Sequence, residues 1–294
     1  MSADAQAQAS VDNLIDVLDL DETQARTTED IFTGRSQSMP TGRIYGGQVL
    51  GQSVIAAERT MPEDRAVHSM HGYFLRPGDS AQGVTIAVDR IHDGRSFSTR
   101  RSQAYQNGVP IFSMIASFQD EAPGLEHARP MPTDIPQPDD IAPDEQRVAG
   151  APAFAVRMLS ERPVDTRHVE SPMYLSVDGE PSAQQAVWMR MRAPMPDDAR
   201  LHRAALAYLS DMTIQESILR AHGVTWATPG LKVASLDHAM WWHRHARVDE
   251  WLLYVQESPN ARGGRGLATG RIYTQDGVLA ATVAQEIMIR VPAS

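Results

Sequence analysis

Ile44-Tyr45-Gly46-Gly47-Gln48-Val49-Leu50-Gly51-Gln52-Ser53-Val54-Ile55-Ala56-Ala57 is helical in length and apolar nearly all round, with small residues where a second backbone can come close. Such a helix is predicted to be buried. Its paired glycines would weaken a helix interior by about 1 kcal/mol each, so they are expected at the N-terminal entry. Strands follow. Val67 to Leu75 ends in the turn signal Arg76-Pro77-Gly78-Asp79, and Val84 to Ile91 alternates up to His92-Asp93-Gly94. Ser96 to Tyr105 and Pro110 to Gln119 are joined by Asn107-Gly108, a strong hairpin signal. A helix followed by an antiparallel meander predicts an α+β unit whose sheet wraps the helix.

Upstream, Ser10 followed by Val11, Leu14, Ile15 and Leu18 predicts a short amphipathic helix capped by Ser10, and Asp30 to Arg35 a brief strand. Downstream the texture changes. From Glu121 to Pro196 prolines recur and Pro136 to Glu145 is acidic, which predicts a linker, with Ala186 to Arg192 re-entering a sheet. The C-terminal third then repeats the earlier order. Leu206 to His222 is helix-like; Lys232 to His243, Glu250 to Glu257, Gly266 to Thr274 and Val278 to Arg290 are strand-like, the last two joined through Gln275-Asp276-Gly277. Tyr45 to Gln48 falls on Tyr208 to Asp211, His71 on His238, and Asn107-Gly108 on Asp276-Gly277, at nearly constant spacing. This order suggests an internal duplication: an N-terminal unit over 1–120, a linker over 121–185 and a C-terminal unit over 186–294.

The 294 residues, 42% of them hydrophobic, suffice for a sizeable core. There are no cysteines, so disulfides, thiolate nucleophiles and zinc-thiolate sites are excluded. A net charge of −10 argues against general nucleic-acid binding. The start is small and polar with no apolar h-region, and no apolar run is long enough to span a bilayer, so the expected location is cytoplasmic. Two arginine clusters, Arg100-Arg101 and Arg262/Arg265/Arg271, are read as solvated strand edges.

Three polar residues interrupt apolar patterns in the second half. Gln285 lies on the strand face of Ala281, Val283, Ile287 and Ile289, where the first half has Ala116. Asp211 shares a helical stripe with Ala207, Ile214 and Ile218, and a buried aspartate is costly unless hydrogen-bonded or near a helix N-terminus. Ser235 stands in Val233-Ala234-Ser235-Leu236-Asp237-His238. A carboxylate, a hydroxyl and a carboxamide converging from a helix and two strands form a cradle for one water, with the aspartate as proton acceptor. On residue types alone a structural role is equally available: Asp211 as a cap, Ser235 bonding the sheet, Gln285 satisfying a buried backbone group. The first-half counterparts, taken as Gln48, His68 and Ala116, differ in chemistry, which predicts one active site per chain. His238, His243 and His245 lack a carboxylate at metal-ligand spacing and are read as packing or surface residues. No nucleophile elbow, Walker loop or dinucleotide fingerprint appears, so neither cofactor nor metal is expected.

Tyr45-Gly-Gly-Gln-Val-Leu-Gly-Gln52, His68-Ser-Met-His-Gly-Tyr-Phe-Leu-Arg-Pro-Gly-Asp79, Asp93-Gly-Arg-Ser-Phe-Ser98, Asp237-His-Ala-Met-Trp241 and Tyr273-Thr-Gln-Asp-Gly277 together resemble the acyl-CoA thioesterase II family. The resemblance covers nearly the whole chain outside the first ten or so residues and much of the proline-rich linker. It implies a double hotdog fold and hydrolysis of fatty acyl-CoA of medium to long chain to fatty acid and CoA. It also implies Asp211, Ser235 and Gln285 as catalytic residues. Relatives carry threonine at the middle position; serine keeps the hydroxyl and loses the methyl that restricts its rotamer. Water held by the three would attack the thioester carbonyl directly, with no covalent acyl-enzyme. Amides near Gly47, helped by His68, are the expected oxyanion donors. An apolar tunnel should hold the acyl chain, and arginines at its mouth the CoA phosphates. A homo-oligomer is expected by analogy. Two other readings stay open: a hotdog enoyl-CoA hydratase using Asp237-His238, and a non-catalytic acyl-CoA-binding protein.

Overall fold

The computed structural model describes residues 2–291 apart from 24, 26, 149, 152, 175 and 178, and the backbone alone at 153–155 and 158. Helix α1, Ala3–Leu18, starts well before Ser10 because Ser2 supplies the cap, its hydroxyl accepting the Ala5 amide at 3.3 Å. The Ala/Gln run after Ser2 consists of good helix formers, so propensity carries the helix back to that cap. Strands β1, Asp21–Glu22, and β2, Asp30–Gly34, lead into α2, Gly46–Arg59, with the paired glycines as its first two residues. Leu50, Val54, Ala56 and Ala57 are essentially without exposure, and burying each Leu or Val stabilises by about 1.5–3 kcal/mol. The meander follows as β3, Arg65–Phe74, β4, Val84–Asp93, β5, Phe97–Gln106, and β6, Val109–Asp120. Asn107 and Gly108 both have positive φ, +50° and +74°, as the two-residue hairpin turn requires.

The proline-rich stretch holds more structure than a linker. It contains α3, Asp144–Arg147, α4, Ala153–Glu161, and β7, Val164–His168, which pairs with β8, Gln184–Met191, at one edge of the sheet. Earlier in the same stretch Met131 and Ile135 pack on Trp188, Trp251, Leu253 and Tyr273, and the Trp188 indole donates to Pro136 O at 2.9 Å. The prolines thus mark a segment laid over the outer sheet face, where rigid extended backbone has a use.

The region Leu206 to His222 is two helices rather than one. Helix α5 is Ala199–Ser210, capped by Asp198, and α6 is Glu216–Ala221; the chain between them begins with Asp211. Likewise Lys232 to His243 splits into β9, Lys232–Ser235, and β10, Asp237–Trp242, before β11, Leu252–Arg262, β12, Arg265–Thr274, and β13, Leu279–Arg290. One sheet runs through both halves in the order β1-β2-β4-β5-β6-β3-β10-β13-β12-β11-β8-β7, with β9 on β13. The halves meet through antiparallel β3 and β10, where Met70 faces Met240.

Inside the curve, α2 and α5 pack against each other. A β-carbon on Gly47 would collide with Tyr208 O, and one on Gly51 would sit 3.0 Å from Ala204 O. Glu58, in the last turn of α2, meets Arg203 on α5 at 2.6 Å, and Arg200, in the first turn of α5, donates to Met61 O at 2.9 Å. These contacts run the helices antiparallel, so the start of α2 lies beside the end of α5. The arginine reading needs correction too. Arg100 is 1% exposed and donates to Thr60 Oγ1 and Asp93 Oδ1, a buried tie from β5 to the end of α2 rather than a solvated edge.

Candidate active site

Asp211, Ser235 and Gln285 come together. The Gln285 amide Nε2 donates to Asp211 Oδ1 at 2.8 Å, and Ser235 Oγ donates to the same oxygen at 3.2 Å. Asp211 is 4% exposed and Gln285 fully buried. Asp211 terminates α5, where the helix's own carbonyls repel an anion, yet it also faces the start of α2. Helix α2 begins without a side-chain cap of its own, and the Gly47 amide donates to Asp211 instead. The helix N-terminus that favours this carboxylate therefore belongs to the other half of the chain. Burial pushes Asp211 up to about 6, against the bonds from Gln285, Ser235 and Gly47 that favour its anion. It is ionised at neutral pH and close enough to its midpoint to exchange a proton.

A β-bulge aims two of the side chains. Ser235 pairs with Ile287, whereas the next ladder begins at Ala239 with Ala284. Three steps from Ser235 to His238 thus span two on β13, with Leu236 as the extra residue. Strict alternation would put Ser235 and His238 on opposite faces; the bulge turns both toward Gln285. His238, without exposure, sets Nδ1 3.2 Å from Gln285 Oε1 and Nε2 2.9 Å from Ser210 Oγ. Burial brings His238 down to about 4, so the ring is neutral at physiological pH. Tyr254 OH donates to Ser210 O at 2.9 Å, and Tyr45 OH to Tyr208 O at 2.9 Å, holding the end of α5 in place.

The same bulge occurs in the first half, where the β3–β6 register shifts between Val67–Phe118 and Ser69–Ser117, leaving His68 as the extra residue. It sets the pairing of the strands in the two halves. Ser235 matches Val67, His238 matches Met70, and Gln285 matches Ala116. Near the C-terminal end of α2 stands a buried acid, Glu58. Glu58 is 1% exposed and held by Arg203; burial takes it up to about 7 against that arginine. Gln48 is a structural residue, its Oε1 accepting the Gln37 amide at 2.9 Å.

His68 stands apart from the three. It bonds Ser117 Oγ at 2.9 Å and packs edge-on against Phe97, on the first-half sheet. Asp237 and His238 do not form an acid–base pair: neighbours on one strand face opposite ways, and Asp237 Oδ1 accepts the Glu286 amide at 2.6 Å. From sequence His238 is only a packing or surface residue or half of an Asp237-His238 pair, because His71 stands as its match; one residue over, its counterpart is Met70, and a histidine in place of a buried apolar residue is the available signal.

Beside the site lies a cavity of about 430 Å³, lined by Tyr45, Tyr208, Met212, Met39, Pro40 and Trp226 among others. Its wall is mainly apolar, with Met212 following Asp211 directly in the chain. The three residues stand behind that wall rather than in it, and a second cleft of about 550 Å³, by Arg190, Arg247 and Trp251, shares none of its lining with the first.

Residues 159–288 match the family model described as acyl-CoA thioesterase, and residues 35–119 the one described as acyl-CoA thioesterase N-terminal domain. The chain is similar to acyl-coenzyme A thioesterase 8 of Homo sapiens, 38% identical over 276 residues that cover 90% of this chain and 85% of the relative. It is 36% identical over 287 residues to acyl-CoA thioesterase 2 of Haemophilus influenzae, covering 95% and 98%. Among solved structures, acyl-CoA thioesterase II TesB2 from Mycobacterium marinum superimposes with a TM-score of 0.77 at 42% identity, over 95% of this chain and 99% of that one. A protein with a hot dog fold from Alicyclobacillus acidocaldarius, 19% identical, shares the fold with a TM-score of 0.75 over 96% and 99%. Similarity of this extent, running through both halves and the stretch between them, shows that the chain belongs to the acyl-CoA thioesterase family.

Proposed function

We propose that the chain hydrolyses medium- to long-chain fatty acyl-CoA to fatty acid and CoA, with Asp211 as general base and Ser235 and Gln285 as its orienting partners. The observation that carries this reading is the buried carboxylate of Asp211, gripped by an amide and a hydroxyl, beside a cavity walled by Tyr45, Tyr208 and Met212. As water attacks the thioester carbonyl carbon, Asp211 takes its proton and the carbonyl oxygen becomes an oxyanion. Collapse of the tetrahedral intermediate breaks the carbon–sulfur bond, and the proton passes from Asp211 to the departing thiolate. General-base assistance of this kind contributes about 10²–10⁴ in rate. The acyl chain would occupy the cavity, whose size falls within the range usual for small-molecule sites.

On this reading the chain is a double hotdog, with units 1–120 and 186–294 and the segment 121–185 between them, and it has one active site. The first half lacks the set: Glu58 faces Arg203, and Val67 and Ala116 replace the hydroxyl and the amide. Helix α2 of that half still supplies the Gly47 amide to Asp211, so the site needs both halves. No helix among the described residues is long and apolar enough to cross a membrane. A cytoplasmic homo-oligomer is part of the proposal and rests on analogy alone.

The absence of cysteine makes the test direct. A thiol-reactive dye meets no protein thiol, so CoA release can be followed continuously over acyl-CoAs of different lengths. Release from medium and long chains is expected. Tight acyl-CoA binding without release from any length would replace hydrolysis by a binding role.

A further inference from the structure

We propose that His238 is a positioning residue, the middle of a hydrogen-bond relay from Ser210 through His238 and Gln285 to Asp211 that fixes which end of the Gln285 amide faces the carboxylate. The inference rests on the thioesterase reading for its kinetic consequence, but not for its geometry. Four groups stand in line: Ser210 Oγ is 2.9 Å from His238 Nε2, His238 Nδ1 is 3.2 Å from Gln285 Oε1, and Gln285 Nε2 is 2.8 Å from Asp211 Oδ1. Ser210, His238 and Gln285 are each fully buried. No solvent can reset their proton positions, so each donor must meet an acceptor inside the protein.

The direction follows from the acceptor at the end. An ionised Asp211 can only accept, so Gln285 must present its NH₂ there and its carbonyl oxygen to the imidazole. That oxygen also can only accept, so Nδ1 must carry the ring's proton. Because the neutral ring has one N–H, Nε2 is a lone pair and takes the Ser210 hydroxyl proton. The competing acceptor for that proton is Ala207 O, 2.8 Å from Ser210 Oγ. If Ser210 donated there instead, Nε2 would need the ring proton and Nδ1 would oppose Gln285 Oε1, lone pair to lone pair. The relay is the arrangement in which all three contacts along the line are attractive, and it draws the Ser210 proton away from Ala207 O.

The duplicated half supports a role tied to the site. At the matching positions stand Met70 for His238 and Ala116 for Gln285, both buried and apolar, so this histidine is not needed to build the strand or its bulge. It accompanies Gln285. A carboxamide is symmetric in shape, and without a donor on its oxygen the amide group is free to turn its C=O toward Asp211 as the carboxylate gains and loses its proton. His238 removes that freedom while Asp211 cycles.

Two measurements test the relay. In ¹⁵N-histidine-labelled protein, the His238 ring is expected as the Nδ1–H tautomer at pH 8; its signal is identified by its loss in His238→Asn or, should that variant not fold, by its shift in Gln285→Leu. An Nε2–H tautomer would overturn the proposal. In kinetics, His238→Asn can place an amide N–H near the former Nδ1, whereas His238→Gln can reach only toward Nε2 and Ser210. We expect kcat to fall by less than about tenfold in the first and by about 10²-fold in the second, with KM unchanged in both. Equal loss in the two variants, or no loss in either, would show that the ring merely fills space. Should wild-type protein release no CoA at all, the thioesterase reading fails while the tautomer still decides the relay.

Discussion

Gly46 stands so close to Asp211 that a β-carbon on it would lie 2.7 Å from Oδ2 and 3.1 Å from the Phe74 ring. The acid of one half is thus fitted against the helix start of the other. Gly46→Ala should push the carboxylate off its partners, since Asp211 is buried and Phe74 blocks relief on the other side. Overpacking of this kind costs about 1–3 kcal/mol in stability, and a shift near 1 Å at the base costs about 10² in rate. Gly124→Ala, where no atom lies within 4 Å of the new methyl, is the control and should match wild type in both melting and turnover.

Asp211→Asn keeps the shape and removes the base. Turnover should fall by about 10²–10⁴, as for loss of a positioned general base, with acyl-CoA affinity retained. A change at the buried acid of the first half, Glu58→Gln, should leave turnover near wild type, because that acid faces Arg203 and has neither hydroxyl nor amide partner in place. If Glu58→Gln were as damaging as Asp211→Asn, a single site per chain would be the wrong description.

Burial raises Asp211 to about 6, and a general base works only when ionised, so kcat/KM should drop on the acid side with a midpoint near pH 6. Ser235→Ala removes one of the bonds that favour the anion, so the same limb should move to higher pH. Ser235→Thr restores the hydroxyl and should return the limb to its wild-type position. A limb that stays fixed through all three proteins would detach it from Asp211.

Much of this architecture is legible in the residues. The apolar wrap of Leu50 to Ala57 marks a buried helix, Asn107-Gly108 marks the hairpin, and Gln285 betrays itself as an amide among Val283 and Ile287. What escapes is set by long-range geometry. Strict alternation carries one strand from Lys232 to His243, whereas the bulge at Leu236 puts Ser235 and His238 on one face. Periodicity around Asp211 continues a helix through it, and nothing local says that the chain stops there to meet Gly46 and Gly47. The amide that favours Asp211 comes from a residue more than 160 positions earlier in sequence, at Gly47, and only the antiparallel packing of the two helices brings it there. Composition likewise hides Arg100, which reads as surface and is buried on Thr60 and Asp93.

His168 is clamped between two acids, Nδ1 at 2.6 Å from Asp144 Oδ2 and Nε2 at 2.7 Å from Glu216 Oε2, all three buried. Burial alone would lower the imidazole, but attraction and hydrogen bonds from Asp144 and Glu216 prevail and hold it up at about 10. Burial alone would raise both acids, and the imidazolium draws each below its ordinary value. The signs set a window. The histidine's raised folded value stabilises fully below its unfolded value of about 6.5 and loses that contribution as pH rises through about 10. The acids' lowered values stabilise above about 4.5 and lose it as pH falls. The cluster joins β7 and α3 to α6, which carries Glu216 on the wall of the cavity beside Asp211. His168→Gln leaves two buried acids without their cation and should cost about 3–5 kcal/mol near pH 6, shrinking toward pH 10. Urea midpoints of the two proteins across pH 5 to 10 check this. A gap that does not narrow on the alkaline side would show that His168 is held neutral.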